Sequence, residues 1–318
     1  MIEEKTIAVV IPCYNVEKQI KDVISSIPEY VDYIIAVNDC SPDGTQGVLE
    51  NLQSVEPRLT VLRHDVNKGV GGAMITGFQT CVERNIDIVV KIDGDGQMDP
   101  AMMPKLINAV TDGKYDFAKG DRVRNRKMLE KMPAVRRFGN LSLTFLTRIA
   151  SGYWKLSDPT NGYLCITLPT LQALDMQRLS SRFFFESSLI IELYYTGARI
   201  KDVQMPAIYG NEKSNLSIWK ILLTFPPKLL KAYLHRLRMQ YFVDDFNISS
   251  VYLLFGLPLL LFGVIFGIVK WVHYASIGLP APTGTIIISL ITITMGFQLL
   301  LSFTQNDMNG GNPFNRND

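Results

Sequence analysis

Two acids in the stretch VVKIDGDGQMDP, residues 89–100, have a spacing that suits metal chemistry. Asp93 and Asp95 are separated only by Gly94, so in an extended segment both carboxylates project from the same side. Mg²⁺ and Mn²⁺ prefer oxygen ligands and commonly bridge carboxylates to substrate phosphates, and Gln97 could add a carbonyl oxygen. The spacing therefore favours a metal site, with a simple turn of Asp and Gly residues as the alternative.

Short apolar segments precede these acids and would position them. Four of them read as strands, TIAVVIP, YIIAVND, LTVLRH and DIVVKID, and helical periodicity follows in VEKQIKDVISSI and GTQGVLENLQSV. Strands that alternate with helices predict a parallel sheet, which binds ligands beyond the carboxyl ends of its strands. Asn38, Asp39, Asp93 and Asp95 should therefore meet at one edge, and Asp99 should cap the next helix.

Composition and motifs argue against several classes of protein. The formal net charge of +2 does not suit a generally basic nucleic-acid binder. The four cysteines form no CxxC pair and have no His-rich partner segment, so neither a zinc site nor a disulfide framework is expected. The glycine-rich run NKGVGGAMITG keeps neither the GxGxxG nor the GxxxxGKS/T spacing, which disfavours a dehydrogenase and a P-loop nucleotidase.

The last third of the chain changes character. Residues 247–269 and 284–303 carry no charge, and each stretch is long enough to cross roughly 30 Å of hydrocarbon as a helix. They predict a transmembrane hairpin, with buried core helices of a soluble protein as the alternative. Gly256, Gly263 and Gly267 permit close helix contact, which would also suit a homo-oligomer formed through the hairpin.

The segment before the hairpin is basic and amphipathic. It predicts two short helices in the headgroup layer, broken at Pro226 and Pro227, or else a helix packed on the preceding domain. Positive residues favour the cytoplasmic side and the N-terminus lacks a secretory signal pattern, so the first domain and both termini should be cytoplasmic, on the inner (plasma) membrane. The predicted divisions are a catalytic domain at 1–215, juxtamembrane helices at 216–246, the hairpin at 247–306 and a polar tail at 307–318.

Four motifs have the order and spacing of family 2 glycosyltransferases of the GT-A fold: VVIPCYN, VNDCSPDGT, NKGVGGAMITG and KIDGDGQMDP. Three later segments, KGDRVRN, LSDPTNGYLCI and RFFFESSLIIELYYTGARIKDVQMPAIY, resemble polyprenyl-phosphate glycosyltransferases, including dolichol-phosphate mannose synthases. The hairpin resembles that of bacterial members that make undecaprenyl-phosphate glucose. The resemblance implies a Rossmann-like, mostly parallel α/β domain. It also implies inverting, metal-dependent hexose transfer from a nucleotide sugar, with UDP-glucose favoured, to a polyprenyl phosphate in the membrane.

The resemblance also implies roles for residues at matching positions. Donor-nucleotide contacts are implied for Pro12, Tyr14, Asn38, Asp39, Asn67, Lys68, Asp93, Gly94 and Asp95, and contacts to Mg²⁺ or Mn²⁺ for Asp93, Asp95 and Gln97. Asp158, Asp95 and Arg122 are the implied catalytic residues, with Asp158 on the acceptor side. Arg122 and Arg136 would bind the acceptor phosphate, because arginine presents paired donors to phosphate oxygens.

Glu186 matches a family glutamate near the sugar, although a charge at a helix start is an equally ordinary reason for it. Two positions depart from the family. Asn38 occupies a position where the family often has an aspartate. The segment YGNEKSNLS replaces the family motif RxxGxSK, so that Lys213 and Ser214 are left as substitutes to bind the donor diphosphate.

Two other functions compete with the favoured one. One is a glycosyltransferase of the same fold with a polysaccharide or glycolipid acceptor, and the missing QxxRW motif argues against the processive polysaccharide synthases. The other is a catalytically inactive, membrane-anchored nucleotide-sugar-binding protein. The presence of Asp93, Asp95 and Asp158 argues against it. The motifs leave the sugar, the base and the metal open.

Overall fold

The computed structural model describes residues 4–122, 134–206 and 218–309. The chain divides into two compact units, the first within Met1–Ala232 and the second within Tyr233–Pro313.

A seven-stranded mixed sheet forms the centre of the first unit. Its strands are β1 (Ile7–Cys13), β2 (Tyr33–Asn38), β3 (Leu59–Arg63), β4 (Ile88–Lys91), β5 (Phe117–Asp121), β6 (Leu164–Thr167) and β7 (Ile200–Gln204), in the order β3-β2-β1-β4-β6-β5-β7. Strands β1 to β4 pair in parallel, β6 is antiparallel to β4 and β5, and β5 pairs in parallel with β7. The predicted mostly parallel, GT-A-like α/β fold is confirmed.

Helices cover both faces of this sheet. They are α1 (Ile20–Ser25), α2 (Thr45–Gln53), α3 (Val70–Glu83), α4 (Met103–Thr111), α5 (Ala134–Ser151), α6 (Leu168–Ala173) and α7 (Phe185–Tyr195). Alternate residues of β1 face opposite cores. Ile7, Val9 and Ile11 pack in the core formed with α1, α2 and α4. Ala8 and Val10 pack in the core formed with α3, α6 and α7. Burial on both faces explains why β1 reads as a continuous apolar run.

The helix after the acidic stretch begins as predicted. The Asp99 carboxylate accepts a hydrogen bond from the backbone N–H of Ala101, at 2.9 Å, and caps the 3₁₀ turn Pro100–Met102 that leads into α4. Asp99 is thus engaged in capping this turn. Of the three acids in residues 89–100, only Asp93 and Asp95 remain for a ligand site, as predicted.

The prediction of two short juxtamembrane helices is wrong, because one helix, α8 (Ile218–Arg238), runs through both Pro226 and Pro227. Each proline removes one backbone hydrogen bond, and packing on either side compensates for the loss. Phe225 is buried with its ring centroid 5.0 Å from that of Phe184, and Leu229 is also buried. The helix continues into a π-helical turn at Met239–Asp244.

The second unit contains two long apolar helices, α9 (Ile248–Ser276) and α10 (Thr283–Asn309), whose mean hydropathy reaches 2.5 and 2.1. Both are long and apolar enough to span a membrane. A Cβ atom at Gly263 of α9 would lie 2.8 Å from the backbone nitrogen of Ile293, and the hydroxyl of Ser289 donates to the carbonyl of Gly263 at 2.9 Å. The glycines therefore allow close contact inside the hairpin, and a homo-oligomer formed through it stays a prediction.

Candidate active site

The ends of β1 and β2 lie side by side at the carboxyl edge of the sheet. Pro12 pairs with Val37, and the backbone N–H of Asp39 donates to the carbonyl of Cys13 at 2.9 Å. Pro12 is buried within β1, whereas Tyr14, just beyond the strand, is 47 % exposed. This edge therefore presents the tyrosine side chain at a position where a base or ribose could stack, next to the loop that follows β2.

Asn38 shapes that loop from a buried position. Its side-chain nitrogen donates to Gln46 Oε1 at 2.6 Å, while its side-chain oxygen accepts from the backbone N–H of Ser41 at 3.0 Å. A carboxylate could only accept hydrogen bonds. The asparagine that departs from the family pattern is thus used here as both donor and acceptor.

Asp39 is buried, and the protein itself supplies partners for its carboxylate. Backbone N–H groups of Lys68 and Gly69 donate to it at 2.8 and 2.7 Å, and a ring nitrogen of His64 lies 2.7 Å from Oδ1. The other ring nitrogen of His64 lies 2.9 Å from the Thr76 hydroxyl. Asp39 therefore fixes the loop Asn67–Gly69 at the start of α3, and its contact with a nucleotide stays a prediction.

Sequence reasoning missed His64. A polar residue directly after β3, next to an acid that directly follows the neighbouring strand β2, is the signal that could have identified it.

Asp93 and Asp95 follow β4 and are both partly exposed. Asp95 Oδ1 accepts from the backbone N–H of Gln97 at 3.0 Å, which folds the DGDGQ turn back on itself. Among the described residues no group of three His, Cys, Asp or Glu side chains could hold a metal ion. Two carboxylates still suit Mg²⁺ or Mn²⁺, because these ions commonly take their remaining oxygen ligands from water and substrate phosphates. The donor set present therefore fits the expected metal.

Lys91, the last residue of β4, is fully buried beside these acids. Its ammonium nitrogen lies 2.5 Å from Asp93 Oδ1 and 3.4 Å from Glu186 Oε1. Burial alone would lower the pKa of Lys91, but the charges of Asp93 and Glu186 outweigh it and raise that pKa. Lys91 therefore stays protonated, and Glu186 at the start of α7 belongs to the same cluster of charges as Asp93.

Asp158 and Arg122 form an ion pair next to β5. Arg122 Nε donates to Asp158 Oδ2 at 2.9 Å and Nη2 donates to Oδ1 at 3.3 Å. Burial raises the pKa of Asp158, but the charges of Arg122 and Lys119 and the hydrogen bonds from Arg122 outweigh it, so that pKa is lowered. The carboxylate is 4 % exposed and the arginine side chain 42 %. The pair thus orients a half-exposed guanidinium with a buried anion.

Gly162 brings the turn that begins at Asp158 close to Asp93. The turn that begins at Asp158 is closed by a hydrogen bond from Asn161 N–H to the Asp158 carbonyl at 3.2 Å, and Gly162 follows it. A Cβ atom on Gly162 would lie 3.1 Å from Asp93 Oδ2. Asp93 therefore lies against the turn that begins at Asp158, the residue paired with Arg122.

Three predicted residues cannot be placed. Lys213 and Ser214 lie outside the described residues, as does the side chain of Arg136, whose backbone is in α5. Their predicted phosphate contacts stay predictions.

Glu192 of α7 gives a testable pH dependence. Burial raises its pKa from 4.5 to about 7, although the Arg178 guanidinium, 3.9 Å away, acts in the opposite direction. The folded state therefore binds the proton more tightly than the unfolded state, and stability falls as the pH rises from 4.5 to about 7. We expect Glu192→Gln to be more stable than the wild type by about 2–3 kcal/mol at pH 8, and by much less at pH 5.

Urea unfolding at both pH values measures this difference. Glu83→Gln, which removes an exposed acid from α3, is the matched control and should behave like the wild type. An equal effect of Glu192→Gln at pH 5 and pH 8 would contradict the assigned cause.

Comparison with known proteins extends these observations. The glycosyl transferase family 2 pattern matches residues 8–166. The UDP-N-acetylglucosamine–dolichyl-phosphate N-acetylglucosaminyltransferase of Methanococcus voltae is 31% identical over 219 residues, which cover 65% of this chain and 87% of the relative. The undecaprenyl-phosphate mannosyltransferase of Micrococcus luteus is 30% identical over 198 residues, covering 61% of this chain and 80% of the relative.

A solved structure agrees with the fold. Glucosyl-3-phosphoglycerate synthase from Mycobacterium tuberculosis, in complex with Mn²⁺ and UDP-glucose, superimposes with a TM-score of 0.52 at 19% identity. The match covers 73% of this chain and 79% of that one.

Proposed function

This chain belongs to glycosyl transferase family 2, and we propose that it transfers a hexose from a nucleotide sugar to a polyprenyl phosphate at a membrane. The observation that supports this proposal is that Asp93, a proposed metal ligand, lies against Gly162 of the turn that begins at Asp158, the residue that holds Arg122. A donor diphosphate and an acceptor phosphate both need positive charge nearby. A cation held by the Asp93 and Asp95 carboxylates would supply it to the diphosphate, and the Arg122 guanidinium would supply it to the acceptor phosphate.

The acceptor is proposed from independent features. The relatives in M. voltae and M. luteus are named for transfer to dolichyl and undecaprenyl phosphate. In this chain two apolar helices, α9 and α10, follow the family domain and are long enough to hold it at a bilayer. We assign 1–215 to catalysis, 216–246 to the membrane surface, 247–306 to the hairpin and 307–318 to a tail, with the catalytic domain and both termini cytoplasmic.

On the donor side, Asp93, Asp95 and Gln97 would hold Mg²⁺ or Mn²⁺ on the diphosphate, with Pro12, Tyr14 and the loops after β2 and β3 around the nucleoside. The bound cation would stabilise the charge that develops on the departing nucleoside diphosphate. UDP-glucose is our favoured donor.

On the acceptor side, the Arg122 guanidinium would bind the prenyl phosphate while Asp158 fixes its orientation. An oxygen of that phosphate attacks the anomeric carbon from the face opposite the leaving group, and this single displacement inverts the configuration. A phosphate is already anionic near neutral pH, so the attacking oxygen needs little help from a general base. Asp158 accordingly acts by positioning.

A transfer assay with the full-length protein tests this function. Radiolabelled UDP-glucose, UDP-N-acetylglucosamine and GDP-mannose are each incubated with undecaprenyl phosphate and Mn²⁺, and the organic-soluble label is counted. We expect label from one of these donors, a loss of label when EDTA removes the cation, and an inverted anomeric configuration by NMR. No label from any donor would reject the proposal, and label only on an added glycolipid or polysaccharide would replace the acceptor.

A further inference from the structure

Lys91 is a buried charge in a strand whose other residues, Ile88 to Val90, are apolar. The Lys91 side chain is 1% exposed, and its ammonium contacts two acids from different elements, Asp93 after β4 and Glu186 in α7. Burying an ammonium group is costly unless it is paired. A lysine held at this position therefore needs a reason that hydrophobic packing does not give.

The space around the ammonium is closed by a third element. A Cβ atom on Gly162 would collide with Lys91 Nζ, and would lie 3.1 Å from Asp93 Oδ2 and 3.3 Å from the methyl carbon of Met98. Glycine at this position lets the turn that begins at Asp158 lie against the lysine. The ammonium thus touches the donor strand, the acceptor-side turn and α7 at one point.

The contact with Lys91 distinguishes the two oxygens of Asp93. Oδ1 accepts the short hydrogen bond from the ammonium, and Oδ2 accepts none from the described residues. A carboxylate held by one oxygen cannot rotate freely. Its other oxygen keeps a fixed direction relative to Asp95, the second proposed metal ligand.

We propose that Lys91 is a positioning residue, which holds Asp93 for the metal and ties the donor half of the site to the Asp158–Gly162 turn. This inference rests on the proposed function, in which Asp93 binds the cation. Lys91 itself touches neither substrate nor metal in this scheme. Its effect passes through the orientation of Asp93.

The charges of Lys91 and its two acidic partners determine which variants can test this role. With both acids ionised, Lys91, Asp93 and Glu186 together carry one net negative charge, although burial raises the pKa of Glu186 against the effect of the Lys91 charge. Lys91→Met alone would leave two neighbouring acids uncompensated and could unfold the protein. The double variant Lys91→Met/Glu186→Gln keeps that net charge and removes the contacts of the ammonium to both acids. Any change in cation affinity then reports orientation and not net charge.

The experiment measures Mn²⁺ binding by electron paramagnetic resonance, with the full-length protein in detergent micelles and saturating UDP. We expect the double variant to bind Mn²⁺ about 10–100-fold more weakly than the wild type. Gly162→Ala should weaken binding in the same direction, because its methyl group displaces the ammonium without changing any charge. Glu186→Gln, which keeps the Lys91–Asp93 contact, should have the smaller effect.

Lys105→Met, which removes an exposed lysine from α4, is the matched control and should leave the affinity unchanged. Wild-type affinity in a folded double variant would overturn the role of Lys91 while leaving the metal site in place. Failure of the wild type to bind Mn²⁺ would instead reject the proposed metal site, and this inference with it. If the double variant does not fold, Gly162→Ala decides, and unchanged affinity there overturns the proposal.

Discussion

Asp95→Ala is expected to abolish metal-dependent donor binding, whereas Asp158→Asn should preserve that binding and slow transfer. Asp95 is one of two carboxylates proposed to hold the cation, and losing it removes several kcal/mol of stabilisation, or about 10²–10³-fold in donor affinity. Asp158 lies in the acceptor half, where its loss releases the Arg122 guanidinium. Because Asp158 acts by positioning, we expect transfer by Asp158→Asn to be slower by about 10²-fold.

Two measurements on each variant separate these roles. The shift in melting temperature on adding nucleotide sugar, with and without Mn²⁺, reports donor binding, and label transfer to undecaprenyl phosphate reports turnover. Asp112→Ala, which removes an exposed acid just after α4, is the matched control and should change neither. An equal loss of donor binding in Asp95→Ala and Asp158→Asn would overturn the division of the site into two halves.

Much of the fold was predictable because its signals are local. Strands β1 to β4 are apolar runs that end in polar residues, and their parallel pairing follows from the helices between them. The Asp99 cap was likewise readable from an acid placed before a proline. These features depend on residues that are neighbours in sequence. The family motifs at the strand ends also predicted that a ligand binds at the carboxyl edge of the sheet.

The remaining features depend on contacts between distant residues. The antiparallel insertion of β6 between β4 and β5 has no local signature, since strand order depends on the whole sheet. The continuity of α8 through two prolines rests on Phe225 packing against Phe184, which is remote in sequence. Lys91 likewise pairs with Glu186 across 95 positions of chain. Composition and periodicity do not encode such pairings.

Removing Asp307 should destabilise the second unit more than any exposed substitution in it. The Arg236 guanidinium near the end of α8 donates to both Asp307 oxygens, at 2.7 and 2.8 Å, and both side chains are buried. Tyr241 also donates to Asp307 at 2.6 Å, and its ring centroid lies 5.1 Å from that of Phe303. All four residues belong to the second unit, and this network connects the end of α10 to the residues that precede α9.

Asp307→Ala leaves a buried guanidinium without its carboxylate, so we expect a loss of about 3–5 kcal/mol in the free energy of unfolding. The double variant Arg236→Met/Asp307→Leu removes both charges and should recover most of that loss, because an apolar pair of similar volume avoids the cost of burying ions. Arg238→Met, which removes an exposed arginine two residues away, is the matched control. Denaturant unfolding in detergent micelles measures all three variants.

The comparison with the double variant identifies what the pair does. If Asp307→Ala and Arg238→Met unfold at the same denaturant concentration, the buried pair contributes nothing and the assigned cause is wrong. If both Asp307→Ala and the double variant are destabilised to the same degree, the pair stabilises through its own attraction and not through compensation of a buried charge. Recovery in the double variant alone fits an ion pair that fixes where α10 ends, because its charges are tolerated only together.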